Sequence, residues 1–255
     1  MKNCLTANVV KGSARYKLDK IKILLAAQIL NSLDVGWLPE DIILTTNFDY
    51  DLYGVKAHRI EFNPLCPTAS KMYGVRYALR QCDCLWSHDL DAWQNVWFDC
   101  PEIKDVGAAT YDNRKFNGGS IFWKKSATDL LDKIIDMLEA EEATYEENVL
   151  NRVFKDKKNK ERVTKLNFTY NVGCSNYRQR WGDSDKTNGQ IRVAHFHPYN
   201  RIAWETHALD RCHLGVKGIS DRLEALLRAH YKLADELKEN NNGNNVGSTN
   251  HSVGL

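Results

Sequence analysis

The sequence predicts an α/β domain, a mostly parallel central sheet flanked by helices. Three observations carry that prediction. Short apolar runs at residues 4–10, 41–46 and 82–87 alternate with segments at 20–33 and 68–79 whose apolar residues recur at helical spacing. Strands alternating with helices bury both faces of a parallel sheet. The 255-residue chain is 43% hydrophobic and 27% charged, the composition of an ordinary globular protein. Its 35 Lys and Arg against 33 Asp and Glu leave a formal net charge of +2. A balance so near zero excludes a strongly basic nucleic-acid coat and an acidic disordered chain.

The first run, residues 4–10, reads as a strand broken at Lys11-Gly12-Ser13. Residues 20–33 form a helix with Ile21, Leu24, Leu25, Ile29 and Leu30 on one face. Ile42, Ile43 and Leu44 make the next strand, and Tyr50, Tyr53 and Gly54 read as a turn. A helix over 68–79 leads into a buried strand over 82–87. Two further strands are expected over 105–110 and 119–123, with Gly118 and Gly119 ending the turn between them. A helix over 127–140 has Leu130, Leu131, Ile134, Ile135 and Leu138 on one face, and a shorter helix follows over 145–154. Residues 155–165 are a charged connection, 166–172 a strand, 182–189 a polar loop and 190–196 a strand. A closing helix over 219–238 places Leu223, Leu226, Leu227, Leu233 and Leu237 on its apolar side. The expectation is one domain over residues 1–238 and a disordered Asn/Gly-rich tail over 239–255.

Seven cysteines, an odd number, and a polar start carrying Lys2, Asn3 and Lys11 point to reduced thiols and a cytoplasmic protein. The longest apolar stretch, residues 23–27, is too short to span a bilayer.

Chemistry concentrates in residues 82–93, where a buried strand runs into Asp89-Leu90-Asp91. Residues i and i+2 of an extended segment point the same way, so the two carboxylates converge on one ligand. At the carboxyl end of a parallel strand such a pair suits Mg²⁺ or Mn²⁺ carrying a phosphate substrate. The same D-x-D spacing recurs at Asp49/Asp51, beside a turn, and at Asp183/Asp185, in a polar loop, where solvated carboxylates are the default. Position therefore favours Asp89/Asp91. In a nucleotide pocket beside them, the first strand would offer Thr6 and Asn8 and the preceding helix Lys71; plain surface polarity is the alternative for all three.

Several other chemistries fall away. Ser87-His88-Asp89 contains triad residue types, but neighbours on a strand face opposite sides and cannot form a relay. The Cys and His residues lack the C-x₂-C or H-E-x-x-H spacing of zinc sites, and there is no Walker loop and no G-x-G-x-x-G.

Three further segments gain meaning from their order. Phe116-Asn117-Gly118-Gly119 precedes a strand, Glu146-Glu147-Asn148 opens a helix, and His195-Phe196-His197-Pro198 ends a strand with a histidine able to join a metal site. Together with Asp89-Leu90-Asp91, this succession resembles the GT-A glycosyltransferases, most closely glycosyltransferase family 8 and its relatives. That family runs from D-x-D through F-N-[SA]-G and D-Q-D-x-L-N to H-[FY]-x-G-x-x-K-P-W. The resemblance covers roughly residues 4–205. Glu146-Glu147-Asn148 stands where the family has Asp-Gln-Asp. The last segment lacks the family's glycine and Lys-Pro pair, and its Trp204 falls one position late.

The resemblance implies a GT-A fold and a metal-dependent transfer of a sugar from a nucleotide-diphosphate donor to an acceptor hydroxyl, with retention. Asp89, Asp91 and His195 would hold Mn²⁺ or Mg²⁺, and Arg201 would lend a cation to the diphosphate. Asn117 would contact donor sugar or acceptor, and Glu146 or Glu147 would face the anomeric carbon or a donor hydroxyl. Trp93 and Trp97 are available to stack on a sugar or base, or to pack in the core. The acceptor is a glycan, a lipid-linked glycan, a protein or a modified DNA base, and the basic residues of 155–165 would suit a polyanion. The competing readings are a nucleotidyltransferase with paired carboxylates and Mg²⁺, and a non-catalytic module that binds nucleic acid or sugar.

Overall fold

Eight strands assemble into one twisted sheet in the order β3-β4-β2-β1-β5-β8-β7-β9. They are β1 (Lys2–Ala7), β2 (Ile42–Thr46), β3 (Asp51–Leu52), β4 (Val55–Arg59), β5 (Cys84–His88), β7 (Val106–Tyr111), β8 (Lys115–Lys124) and β9 (Val163–Leu166). A second sheet of three strands joins β10 (Val172–Cys174), β11 (Val193–Phe196) and β6 (Ala92–Gln94). The helices are α1 (Leu18–Asp34), α2 (Ser70–Leu79), α3 (Thr128–Ala140) and α4 (Glu146–Lys155). This computed structural model describes residues 1–13, 17–111, 115–141, 145–174 and 190–196, with Ala225, Arg228 and Lys232, each exposed. The expected closing helix over 219–238 otherwise lies outside the described residues. So do the tail, Asp183/Asp185, His197, Arg201 and Trp204.

β4, β2, β1 and β5 run parallel, β8 lies antiparallel between β5 and β7, and β9 runs parallel to β7. The sheet is thus mixed and mostly parallel. All five residues of β2 are buried, as a central strand covered on both faces requires. One face packs Cys4, Ile43, Leu85, Ile121 and Trp123 against α2, α3 and α4. The other packs Leu5, Leu44, Trp86 and Phe122 against α1. The alternation along β1 and β8 matches the period of two for side chains on a strand. The apolar stripe of α3 is the expected one, Leu130, Leu131, Ile134, Ile135 and Leu138.

Several boundaries move. β1 begins two residues before the expected strand and ends at Ala7. The turn read at Tyr53-Gly54 is the tip of a hairpin, with φ of 51° and 82°, the left-handed pair that suits a tight two-residue connection. The strand expected over 166–172 is two short strands, β9 and β10, around a turn in which the Asn167 side chain accepts from the Thr169 backbone N–H. Gly118 and Gly119 lie inside β8 and not in the turn before it. Cys84 and Cys100 bring their sulfurs together with Cα atoms 7.3 Å apart, beyond the usual reach of a disulfide, and Cys4, Cys66 and Cys82 are free thiols. Among the described residues no helix is long and apolar enough to cross a membrane.

Candidate active site

β1, β2 and β5 end together at one edge of the sheet, and the chain leaves β5 through Asp89-Leu90-Asp91. A tight turn follows, closed by the Ala92 backbone N–H donating to the Asp89 carbonyl at 3.0 Å. β6 then pairs with β11 so that His195 stands opposite Ala92. This pairing carries His195 to the two aspartates across a long stretch of sequence. Its Nε2 lies 3.5 Å from Asp91 Oδ1 and 3.6 Å from Asp89 Oδ2. One ligand atom from each of the three residues falls within 4.8 Å of the others. Two carboxylates and an imidazole at that spacing fit a divalent cation, with Mn²⁺ suited somewhat better than Mg²⁺. Burial draws the His195 pKa down, but the carboxylates of Asp91 and Asp89 outweigh it and hold it above the ordinary histidine value.

Behind Asp89 sits Lys71, on the first turn of α2. Its ammonium donates to Asp89 Oδ1 at 2.6 Å and to the Gly118 carbonyl at 2.7 Å, and pairs with Glu146 Oε1 at 2.5 Å. An ammonium has three protons, and these three oxygens account for them. Burial works to lower the Lys71 pKa, and the Asp89 and Glu146 carboxylates raise it overall, so it stays charged. For Glu146, burial dominates and lifts the carboxyl above its usual range against the pull of Lys71.

The glycines of Phe116-Asn117-Gly118-Gly119 make room for both arms of this site. A Cβ on Gly118 would collide with the Glu146 carboxylate, and a Cβ on Gly119 with the His195 ring. Successive residues on β8 face opposite sides, so the pair opens both faces at the same level. Asn151, one turn into α4, ties that helix to the start of β8. Its amide accepts from the Phe116 N–H at 2.9 Å and donates to the Phe116 carbonyl at 2.8 Å.

Asn117 Oδ1 accepts from the Gly119 N–H and from Asn171 Nδ2, both at 2.7 Å, and Asn171 Oδ1 faces His195 Nδ1 at 3.1 Å. Asn171 is absent from the sequence-based set of site residues; the signal available was its place after the turn begun by Asn167. Gln28 was also missed. It is a buried glutamine on α1 whose amide donates to the Leu90 and Ala92 carbonyls, both at 2.9 Å, on either side of Asp91. A polar residue among the apolar residues of a helix was the visible sign.

The remaining expected residues are distributed as follows. Glu147 is at the α4 N-terminus beside Glu146, and Asn8 is buried just past β1. The Thr6 hydroxyl is paired with that of Thr45 at 2.9 Å. Trp93 is in the core, while Trp97 is half exposed and packs on Trp37 with ring centroids 5.0 Å apart. His88 is buried, stacked on Trp86 and bonded to Asn3, and burial pushes its pKa down to about 4. The basic residues of 155–165 are interleaved with acids: Asp156 pairs with Lys133, Glu161 with Lys104, and Arg162 with Asp105 and Asp129.

No protein-family model matches the sequence, and no curated protein matches it. Solved structures do match. The galactosyltransferase LgtC, solved in complex with donor and acceptor sugar analogues, superposes with a TM-score of 0.55 at 15% identity, over 90% of this chain and 96% of LgtC. The glycosyltransferase GlyE of Streptococcus pneumoniae TIGR4 superposes with a TM-score of 0.51 at 11% identity, over 91% of this chain. This chain spans 64% of GlyE. Identities this low establish shared architecture alone. The chain has the GT-A fold of LgtC, with Asp89, Asp91 and His195 gathered at the carboxyl edge of its parallel strands.

Proposed function

We propose that this chain transfers a sugar from a nucleotide-diphosphate donor to an acceptor hydroxyl, with retention, using a divalent metal held by Asp89, Asp91 and His195. The convergence of these three side chains at the strand ends of a GT-A fold carries the proposal. A metal there would neutralise the charge that builds on the departing nucleoside diphosphate. Glu146 faces the donor sugar, oriented by Lys71 and given room by Gly118; Glu147 is its neighbour on the same helix turn. Asn117 has its oxygen committed to Gly119 and Asn171, which leaves its Nδ2 protons for a sugar hydroxyl. Asn8, just past β1, would contact the nucleotide, and Arg201 would lend a cation to the diphosphate. Lys71 acts by holding Asp89 and Glu146, since its protons are already engaged.

The test is thermal stabilisation by a panel of UDP- and GDP-sugars, with and without Mn²⁺, for wild type and Asp91→Ala. A metal-dependent shift with one nucleotide-sugar, absent in the variant, supports the reading and names the donor. A shift with a nucleoside triphosphate and none with any nucleotide-sugar overturns it.

A further inference from the structure

The position of one backbone proton fixes the orientation of the histidine. The Gly119 N–H can only donate, so the atom of Asn117 that it meets at 2.7 Å is the amide oxygen. Asn171 meets that same oxygen at 2.7 Å and must present its NH₂ there. The other end of the Asn171 amide, its oxygen, therefore faces His195 Nδ1 at 3.1 Å. An oxygen at that place requires the proton on Nδ1. Nε2 is then the ring nitrogen that faces the gap between Asp89 and Asp91, where an arriving cation would take the place of its proton.

We infer that Asn171 is a positioning residue for metal binding: anchored through Asn117 to the β8 backbone, it holds His195 in the Nδ1–H tautomer with Nε2 aimed at the cation. This rests on the metal-site reading above. Partners of this kind behind a ligating histidine raise metal affinity about 10–100-fold. The imidazole matters more to Mn²⁺ than to Mg²⁺, which prefers an all-oxygen shell. Losing Asn171 therefore weakens Mn²⁺ selectively, whereas general loosening of the site weakens both ions together.

The experiment is calorimetric titration of the full chain with Mn²⁺ and with Mg²⁺, for wild type, Asp91→Ala, His195→Ala, Asn171→Leu and Asn171→Asp, with each variant's metal-free melting curve alongside. Asn171→Leu is expected to lose about 10–100-fold in Mn²⁺ affinity and less than about threefold in Mg²⁺ affinity, following His195→Ala. Asn171→Asp keeps an acceptor for Nδ1–H but sets a second oxygen against Asn117 Oδ1, so its Mn²⁺ affinity is expected to fall between those of wild type and Asn171→Leu. If the leucine variant does not fold, Asn171→Ala takes its place. Should wild type bind and Asp91→Ala fail to bind while Asn171→Leu matches wild type, or weakens both ions equally, the role of Asn171 is overturned and the metal site stands. If wild type binds neither ion, or Asp91→Ala binds as wild type, the metal site itself fails and the role of Asn171 with it.

Discussion

The imidazole of His195 occupies the space that a side chain on residue 119 would fill. Gly119→Ala is therefore expected to push His195 off the aspartates while leaving β8 paired. The Mn²⁺ affinity falls by about 10–100-fold, and far-ultraviolet circular dichroism is unchanged. Gly118→Ala presses instead on Glu146. It is expected to spare Mn²⁺ binding and reduce turnover with the donor that the stabilisation screen identifies.

Lys71 is the one cation bonded to Asp89 and Glu146 among the described residues. Lys71→Met leaves two half-buried carboxylates without their shared cation. Denaturant unfolding is expected to show a loss of about 1–3 kcal/mol, below the cost of breaking a fully buried ion pair because water still reaches both carboxylates. Lys71→Met with Glu146→Gln, which also removes one of the stranded charges, is expected to recover part of that loss.

Gln28 holds the carbonyls on both sides of Asp91. Gln28→Leu removes both donors, with an expected destabilisation of about 1–3 kcal/mol. It is also expected to weaken Mn²⁺ and Mg²⁺ alike, because both aspartates lose their fixed geometry. Titration with each ion distinguishes this from the selective effect expected at Asn171.

A fourth prediction concerns acid stability. Partial burial works to raise Asp105, and the Ser126 hydroxyl and Arg162 guanidinium overcome it, while Asp129 is drawn down first by its hydrogen bonds to Arg162. Both folded values lie below the unfolded ones, so the stabilisation is complete above the ordinary carboxylate pKa, about 4, and is lost as pH falls through the folded values. Arg162→Met is thus expected to cost about 1 kcal/mol at neutral pH. The unfolding curves of variant and wild type should converge once the pH has fallen through the folded values and both carboxylates are protonated.

Much of the fold was legible because its signals are local. The apolar stripe of α3 and the run Ile42-Ile43-Leu44 can each take essentially one buried arrangement. β6 and β3 were not legible, since strands of two or three residues carry too little periodicity to register. For the site, Asp89 and Asp91 could be singled out by their place after a central strand, and His195 by its place in a succession of motifs. The commitment of Lys71 to Asp89 and Glu146 was hidden, because a lysine on a helix looks the same whether it meets phosphate or carboxylate. Asn171 and Gln28 were hidden for a related reason: each acts on backbone or on another side chain, through contacts that form only when distant segments meet.

The consecutive glycines have a consequence for folding fidelity. β8 pairs with β5 so that Ser120 lies opposite His88. A slip of one residue would bring the side chain of Asn117 or Ser120 into a gap that now admits Glu146 or His195, and would turn each gap to the wrong face. A cation held by Asp89, Asp91 and His195 would therefore bind one pairing of these strands and not its neighbours. By mass action it would deepen that pairing at the expense of the misaligned ones. A loaded site would in this way proofread the sheet that builds it.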